Sequence, residues 1–184
     1  STRKGNVIWL EEVLSEAIKR AAALGNGEKN NVSQKVGIGA LKWNDLKGDP
    51  KRDILFDWDE VLNMQGNSGP YIQYTFARAG SILAKSGKDG LMESVGEPSN
   101  EDERSVLRTL YRYPEVVVEA AKNFTPQVVT TYLFGLAQRF NGFYNLNKVV
   151  GGENEKFRLE LVAAVAQVLK NGLSLLGIEV VEKM

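Results

Sequence analysis

Pro70-Tyr-Ile-Gln-Tyr-Thr-Phe-Ala-Arg78, running on through Ala79-Gly-Ser-Ile-Leu83-Ala-Lys-Ser86, is the stretch whose reading decides the fold. The breaker cluster Gln65-Gly-Asn-Ser-Gly69 stands before it, and Pro70 suits the first turn of a helix. At about 100° per residue, Ile72, Phe76, Ala79 and Leu83 share one helix face. Tyr71, Tyr74 and Arg78 share another, roughly 130–140° away by the same arithmetic. The first face is ordinary core. The second admits two readings. It is a further packing surface with tyrosine hydroxyls at the rim, or a platform on which unpaired bases stack while the guanidinium holds phosphate. Spacing alone leaves both open.

The same period extends outward in both directions. Leu10, Val13, Leu14, Ala17, Ile18 and Ala21 form an apolar stripe, with Glu11 and Glu12 early and Lys19 and Arg20 late, as the helix dipole favours. A second stripe runs through Val32, Val36, Ala40 and Leu41 to Trp43, and Asp57 is placed to cap a brief helix through Val61 and Leu62. Ser99 and Asp102 resemble a capping pair for a helix ending near Tyr111. Pro114 opens another helix, and Thr125-Pro126 reads as an N-cap followed by proline at the first helical position. Val129, Leu133, Leu136, Phe140 and Phe143 continue that helix to a break expected at Gly151-Gly152. Leu159, Val162, Ala166, Leu169 and Leu173 mark the last helix, which Gly177 stops, leaving a non-helical tail over Ile178–Met184. The pattern predicts an all-α bundle of six or seven helices.

Composition narrows the chemistry. The 184 residues carry 23 Lys+Arg against 23 Asp+Glu and contain neither His nor Cys. Thiol nucleophiles, zinc fingers and iron–sulfur clusters are excluded, as are a Ser-His-Asp triad and an imidazole base. With formal net charge zero, no global positive field draws in a polyanion, so any nucleic-acid contact must be local. No run approaches the ~18 apolar residues of a membrane span, and a cytoplasmic setting is expected. The start at Ser1-Thr-Arg-Lys-Gly5, without an initiator Met, fits a cut from a longer chain or a processed terminus equally.

Other motifs carry less. Val36-Gly-Ile-Gly-Ala40 lacks the third glycine and the preceding strand of a dinucleotide fingerprint, so close helix packing is the better account of Gly37 and Gly39. The acidic residues between Asp45 and Glu60 fit neither a calcium loop nor a catalytic carboxylate pair. Phe140-Asn-Gly-Phe-Tyr-Asn145 is a second aromatic cluster. Phe140 and Phe143 belong to the core stripe, Tyr144 falls off it, and Lys148 follows.

Taken together, these stretches resemble the arginyl-tRNA synthetase family, in particular its C-terminal anticodon-binding domain. Ser1-Thr-Arg-Lys-Gly-Asn6 looks like the tail of the class I Lys-Met-Ser-Lys-Ser signature loop. Gln65-Gly-Asn-Ser-Gly-Pro-Tyr-Ile-Gln-Tyr-Thr-Phe-Ala-Arg78 is similar to the family's Pro-Tyr-x-Gln-Tyr-x-x-x-Arg segment. Thr131-Tyr-Leu-Phe134, Phe140-Asn-x-Phe-Tyr144 and Asn171-Gly-Leu-x-Leu-Leu-Gly-Ile178 through Met184 follow in matching order. Many members carry His where this chain has Thr75-Phe76.

The resemblance implies tRNA anticodon-loop recognition, with Tyr71, Tyr74, Arg78, Tyr144 and Met184 as contacts, and Lys148 lies where some members carry another contact. It implies that Ser1, Thr2, Arg3, Lys4 and Gly5 are a remnant of the ATP signature loop. Residues 1–25 would then be that tail with a linking helix, and 26–184 the anticodon-binding domain. The parent would be an ATP-dependent arginine–tRNA ligase using ATP with Mg2+ and arginine. This piece would be non-catalytic and cofactor-free, monomeric, and joined in cis to a catalytic domain. The competing reading is a helical protein–protein module whose tyrosine face docks a partner, since Tyr and Arg are also enriched at interfaces.

Overall fold

A computed structural model describes residues 9–25, 30–87 and 96–184. The expected signature-loop remnant, Ser1–Gly5, lies outside the described residues. Among the described residues eight α-helices occur in this order: α1 Leu10–Leu24, α2 Asn31–Leu46, α3 Trp58–Val61, α4 Gly69–Ser86, α5 Glu101–Tyr111, α6 Tyr113–Asn123, α7 Pro126–Leu146 and α8 Glu155–Leu175. The one-turn α3 joins seven longer helices, so the all-α expectation is met, and no strand occurs among the described residues.

Local chemistry accounts for most boundaries. Asn30 accepts from the Ser33 N–H at 2.9 Å while the Ser33 hydroxyl accepts from the Asn30 N–H at 2.8 Å, a reciprocal cap for α2. Ser68 caps α4 by accepting from the Tyr71 N–H, with Pro70 in the first turn. Asp57 caps α3 through the Asp59 N–H. The cap of α5 sits one residue later than expected: Asn100, not Ser99, accepts from the Glu103 N–H at 2.9 Å. Thr125 occupies the N-cap of α7, but its side chain makes no cap bond, so Pro126 alone carries that start. α7 ends at Leu146, ahead of the glycine pair, because the Asn147 side chain turns back to donate to the Phe143 carbonyl at 2.9 Å.

α4, α7 and α8 enclose the main core, in which Ile72, Leu133, Leu136, Phe140, Val162, Leu169 and Leu173 are fully enclosed. α1 and α2 join through backbone contact: a Cβ on Gly37 would lie 2.8 Å from the Ala17 carbonyl. A Cβ on Gly69 would lie 2.6 Å from the Gly39 carbonyl oxygen, which seats the start of α4 on α2. Both glycines of the Gly-x-Gly sequence therefore serve packing. Gln73, fully buried, donates from Nε2 to the Lys35 carbonyl at 3.2 Å and the Glu179 carbonyl at 2.7 Å. It ties α2, α4 and the tail together. Ile178 and Val181 of that tail are buried.

A buried ion pair closes the other end. Glu103 has no exposed surface and Arg158 retains 8%. Arg158 Nε donates to Glu103 at 2.6 Å, and its Nη1 donates to the Lys148 carbonyl at 2.8 Å. The Ser99 N–H and hydroxyl and Asn154 also donate to the carboxylate. Burial pushes the Glu103 carboxyl up, but the Arg158 and Ser99 hydrogen bonds outweigh it and hold the group below its ordinary value of 4.5. Such a satisfied pair tolerates burial, whereas losing one partner strands the other.

Arg158→Met is expected to cost ~3–5 kcal/mol in urea unfolding. Because the folded Glu103 value is depressed, its contribution is present above about 4.5 and is lost as pH falls through the lower folded value. Thermal melts from about pH 7 to about pH 3 should show a shallower acid decline for Glu103→Gln than for the unsubstituted chain.

Candidate nucleic-acid interface

The site is built on two helices that cross at one cluster. α4 supplies Tyr71, Tyr74, Thr75 and Arg78, and α7 supplies Asn141 and Tyr144. Arg78 is the hub. Its guanidinium carbon lies 4.8 Å from the centre of the Tyr74 ring and 5.6 Å from that of Tyr144. Its Nη2 donates to the Tyr74 hydroxyl at 3.1 Å, and its Nη1 donates to Asn141 Oδ1 at 2.6 Å. A guanidinium over aromatic faces is held by the ring quadrupoles, so Arg78 and two phenols form one preorganised surface.

Asn141 completes the cluster. Its amide donates to the Tyr71 hydroxyl at 3.0 Å and to Thr75 Oγ1 at 3.1 Å. The Thr75 hydroxyl itself donates to the Tyr71 carbonyl at 2.8 Å. Asn141 thus spans α4 and α7 with both ends of its amide satisfied. Spacing did not single it out, although it lies inside the Phe140-Asn-Gly-Phe-Tyr cluster, three residues before Tyr144 and so on the same side of α7.

Tyr71 and Tyr74 differ in their surroundings. Tyr71 is partly buried, and its ring meets Phe134 edge-on at 5.7 Å. That is the packing reading of the tyrosine face. Tyr74 borders an open apolar cavity of about 520 Å³, whose other walls include Ala21, Val36, Met64 and Met184. Met184 is 45% exposed there. Tyr144 is 36% exposed, and its ring stacks near-parallel to Phe140 with centroids 6.5 Å apart. Lys148 stands off the cluster, on the loop after α7, in a second cavity that it shares with Tyr144. The structure therefore gathers Tyr71, Tyr74, Arg78 and Tyr144, adds Met184 through the Tyr74 cavity, and sets Lys148 to one side.

Comparison with known proteins agrees with this architecture. Residues 72–184 match the family model described as DALR anticodon binding domain. Residues 1–58 match tRNA synthetases class I (R), catalytic domain. The chain is 40% identical over 196 residues to an arginine–tRNA ligase of Clostridium kluyveri, covering all of this chain and 35% of that protein. It is 38% identical over 198 residues to the arginine–tRNA ligase of Chloroflexus aurantiacus, covering all of this chain and 34% of that one. Among solved structures, arginyl-tRNA synthetase of Thermus thermophilus superposes with a TM-score of 0.88 at 34% identity, over 97% of this chain and 32% of its own. The Plasmodium falciparum enzyme does so with a TM-score of 0.85 at 27% identity, over 97% and 34%. The chain spans about a third of the length of these relatives.

Asn141→Ala removes three side-chain hydrogen bonds at once and leaves the Arg78 guanidinium one acceptor short. A loss of ~1–3 kcal/mol in urea unfolding is expected. Asn141→Asp, which keeps the acceptor for Arg78, should lose less.

Proposed function

We propose a function on one premise: the chain belongs to the DALR anticodon binding domain family, in its arginyl-tRNA synthetase group. It is the tRNA-recognising part of an arginine–tRNA ligase and binds the anticodon loop of an arginine tRNA. The observation that carries this reading is the Tyr74–Arg78–Tyr144 cluster beside an open apolar cavity. Splayed bases need aromatic faces to stack on and an apolar recess to enter. Here Tyr74 and Tyr144 offer the faces, and the cavity between Tyr74 and Met184 takes an extruded base. Arg78, oriented by Asn141 and Tyr74, has further N–H groups to direct at base edges or phosphate. Tyr71 acts chiefly through its hydroxyl on Asn141, holding α7 against α4.

In the whole ligase, arginine and ATP give arginyl-adenylate, and the arginyl group passes to the terminal ribose of the tRNA. This part supplies none of the bond chemistry. It uses binding energy gained at the anticodon to orient a distant acceptor end. With residues 1–25 as the link and 26–184 as the anticodon-binding domain, α1 leads to the catalytic part, a reading that the match of residues 1–58 to the catalytic-domain family supports. ATP, Mg2+ and arginine belong to the catalytic part, which is joined in cis. A monomer in the cytoplasm suits this role.

Zero net charge sets the binding mode. Affinity comes from stacking, shape and a few placed cations, not from broad counterion release. Stacking one base on an aromatic is worth about 1–3 kcal/mol. Tyr74→Ala should therefore weaken binding of a labelled arginine anticodon stem-loop by roughly tenfold or more, and Tyr71→Ala should also weaken it. Unchanged affinity in both variants would overturn the reading. A homodimer that hides this face and ignores RNA, seen by light scattering, would favour the protein–protein module instead.

A further inference from the structure

Beyond the cluster lies a separate cavity of about 570 Å³, between the end of α4 and the loop that follows α7. Ile82 and Lys85 line it from α4, and Tyr144, Leu146, Lys148 and Val149 line it from the other side. No Asp or Glu takes part in its lining. Neither the Lys85 nor the Lys148 ammonium has a carboxylate partner among the described residues. In a chain of zero net charge, two unpaired ammoniums around one cavity are a local excess of positive charge. The larger cavity between α5, α6 and α7 differs. It holds Arg108, Arg112 and Arg139 but also Glu119, and Arg108 is already paired with Glu101.

The Lys148 wall is fixed in place. The Lys148 carbonyl accepts from Arg158 Nη1 at 2.8 Å. Asn147 Oδ1 accepts from Asn100 at 2.8 Å and from Arg158 Nη2 at 3.3 Å, and its amide donates to the Phe143 carbonyl at 2.9 Å and to Asp102 Oδ2, behind the cavity wall, at 3.2 Å. Val149 is buried. A Cβ on Gly152 would lie 2.1 Å from the Lys148 carbonyl oxygen, so the turn closes only with glycine there. The buried Glu103–Arg158 pair thus holds the backbone of Lys148 in register with the end of α7. The loop is a formed edge and does not need to be ordered by its ligand.

Tyr144 belongs to both places. Its ring faces the Arg78 guanidinium at 5.6 Å, and it lines the Lys85–Lys148 cavity. We infer that this cavity is a backbone subsite for single-stranded RNA: the strand passes Tyr144 as it leaves the anticodon cluster, and Lys85 and Lys148 grip the phosphodiester of a nucleotide flanking the triplet. Lysine suits this as a mobile point charge that reads phosphate but not base identity. Leu146 and Val149 offer an apolar floor to the sugar or base of that nucleotide. The subsite rests on the anticodon-loop reading and extends it by one nucleotide and one new residue, Lys85.

The test is fluorescence anisotropy with a labelled arginine anticodon stem-loop, on the unsubstituted chain and on Lys85→Ala, Lys148→Ala, the double variant and Tyr74→Ala. Circular-dichroism melts verify that each is folded. Each lysine variant should bind about threefold to tenfold more weakly, with a shallower slope of log affinity against log salt. The double variant should lose about 0.7 from that slope in all, because both ammoniums serve one phosphate. A second series carries one neutral methylphosphonate linkage at each loop position in turn. One linkage flanking the triplet should weaken binding to the unsubstituted chain and have no effect on the double variant. The subsite is overturned if the double variant keeps both affinity and salt slope while Tyr74→Ala binds weakly, an outcome that leaves the anticodon reading standing. If the unsubstituted chain does not bind the stem-loop at all, both fall together.

Discussion

Contact between helix backbones at three glycines is the constraint on which the rest depends. Gly37 admits the Ala17 carbonyl, and Gly39 and Gly69 bring the start of α4 onto α2. A methyl group at Gly37 or Gly69 would enter backbone atoms, which cannot move aside as a flexible side chain can. Once α4 is seated this way, its two faces have no freedom left. Ile72 and Ala79 go into the core, and Tyr74 stands beside the cavity shared with α1, α2 and the tail, with the Arg78 guanidinium against its ring. Gln73 strengthens the same junction by donating to carbonyls of α2 and of the tail. The glycine contacts and Gln73 thus set the position of Tyr74 and Arg78, while Tyr71 and Asn141 add the α4–α7 contact from within the cluster.

Charge is organised at short range. Across the whole chain positive and negative residues cancel, so the global field neither attracts nor repels RNA. What remains are local arrangements with separate tasks. Glu103 and Arg158 neutralise each other in the interior and use their remaining hydrogen-bonding capacity to anchor Ser99, Asn147, Lys148 and Asn154. Arg78 is held against two aromatic rings, where its charge is partly desolvated and directed. Elsewhere, burial beside Tyr113 pushes the Tyr132 phenol up to about 12, which keeps it neutral as it donates to the Thr109 carbonyl across the α5–α7 seam.

Helical periodicity, capping residues and prolines made the all-α architecture legible, together with most helix boundaries and both faces of α4. Those signals act over one or two turns, and a linear pattern records them directly. The cap at Asn100 was missed by one residue because Ser99 and Asn100 are both good caps. The choice falls to Glu103, whose carboxylate turns to Arg158 and recruits the Ser99 N–H. The end of α7 was misplaced for a similar reason: Asn147 is committed to contacts with Asn100 and Arg158 that are distant in sequence.

The sequence by itself determined the helical class, the exclusion of His- and Cys-based chemistry, and the residue types able to meet RNA. Tertiary structure alone decided which of them act together. Tyr71 and Tyr74 are three residues apart on one helix face, yet one packs on Phe134 while the other borders an open cavity. Asn141 is an ordinary polar residue in the linear pattern, and only the packing of α7 on α4 sets it between Tyr71, Thr75 and Arg78. Periodicity assigns a side chain to a face of its own helix. Whether that face is packed, open or bonded depends on which other helix lies across from it, and that is settled by contacts between residues far apart in the chain.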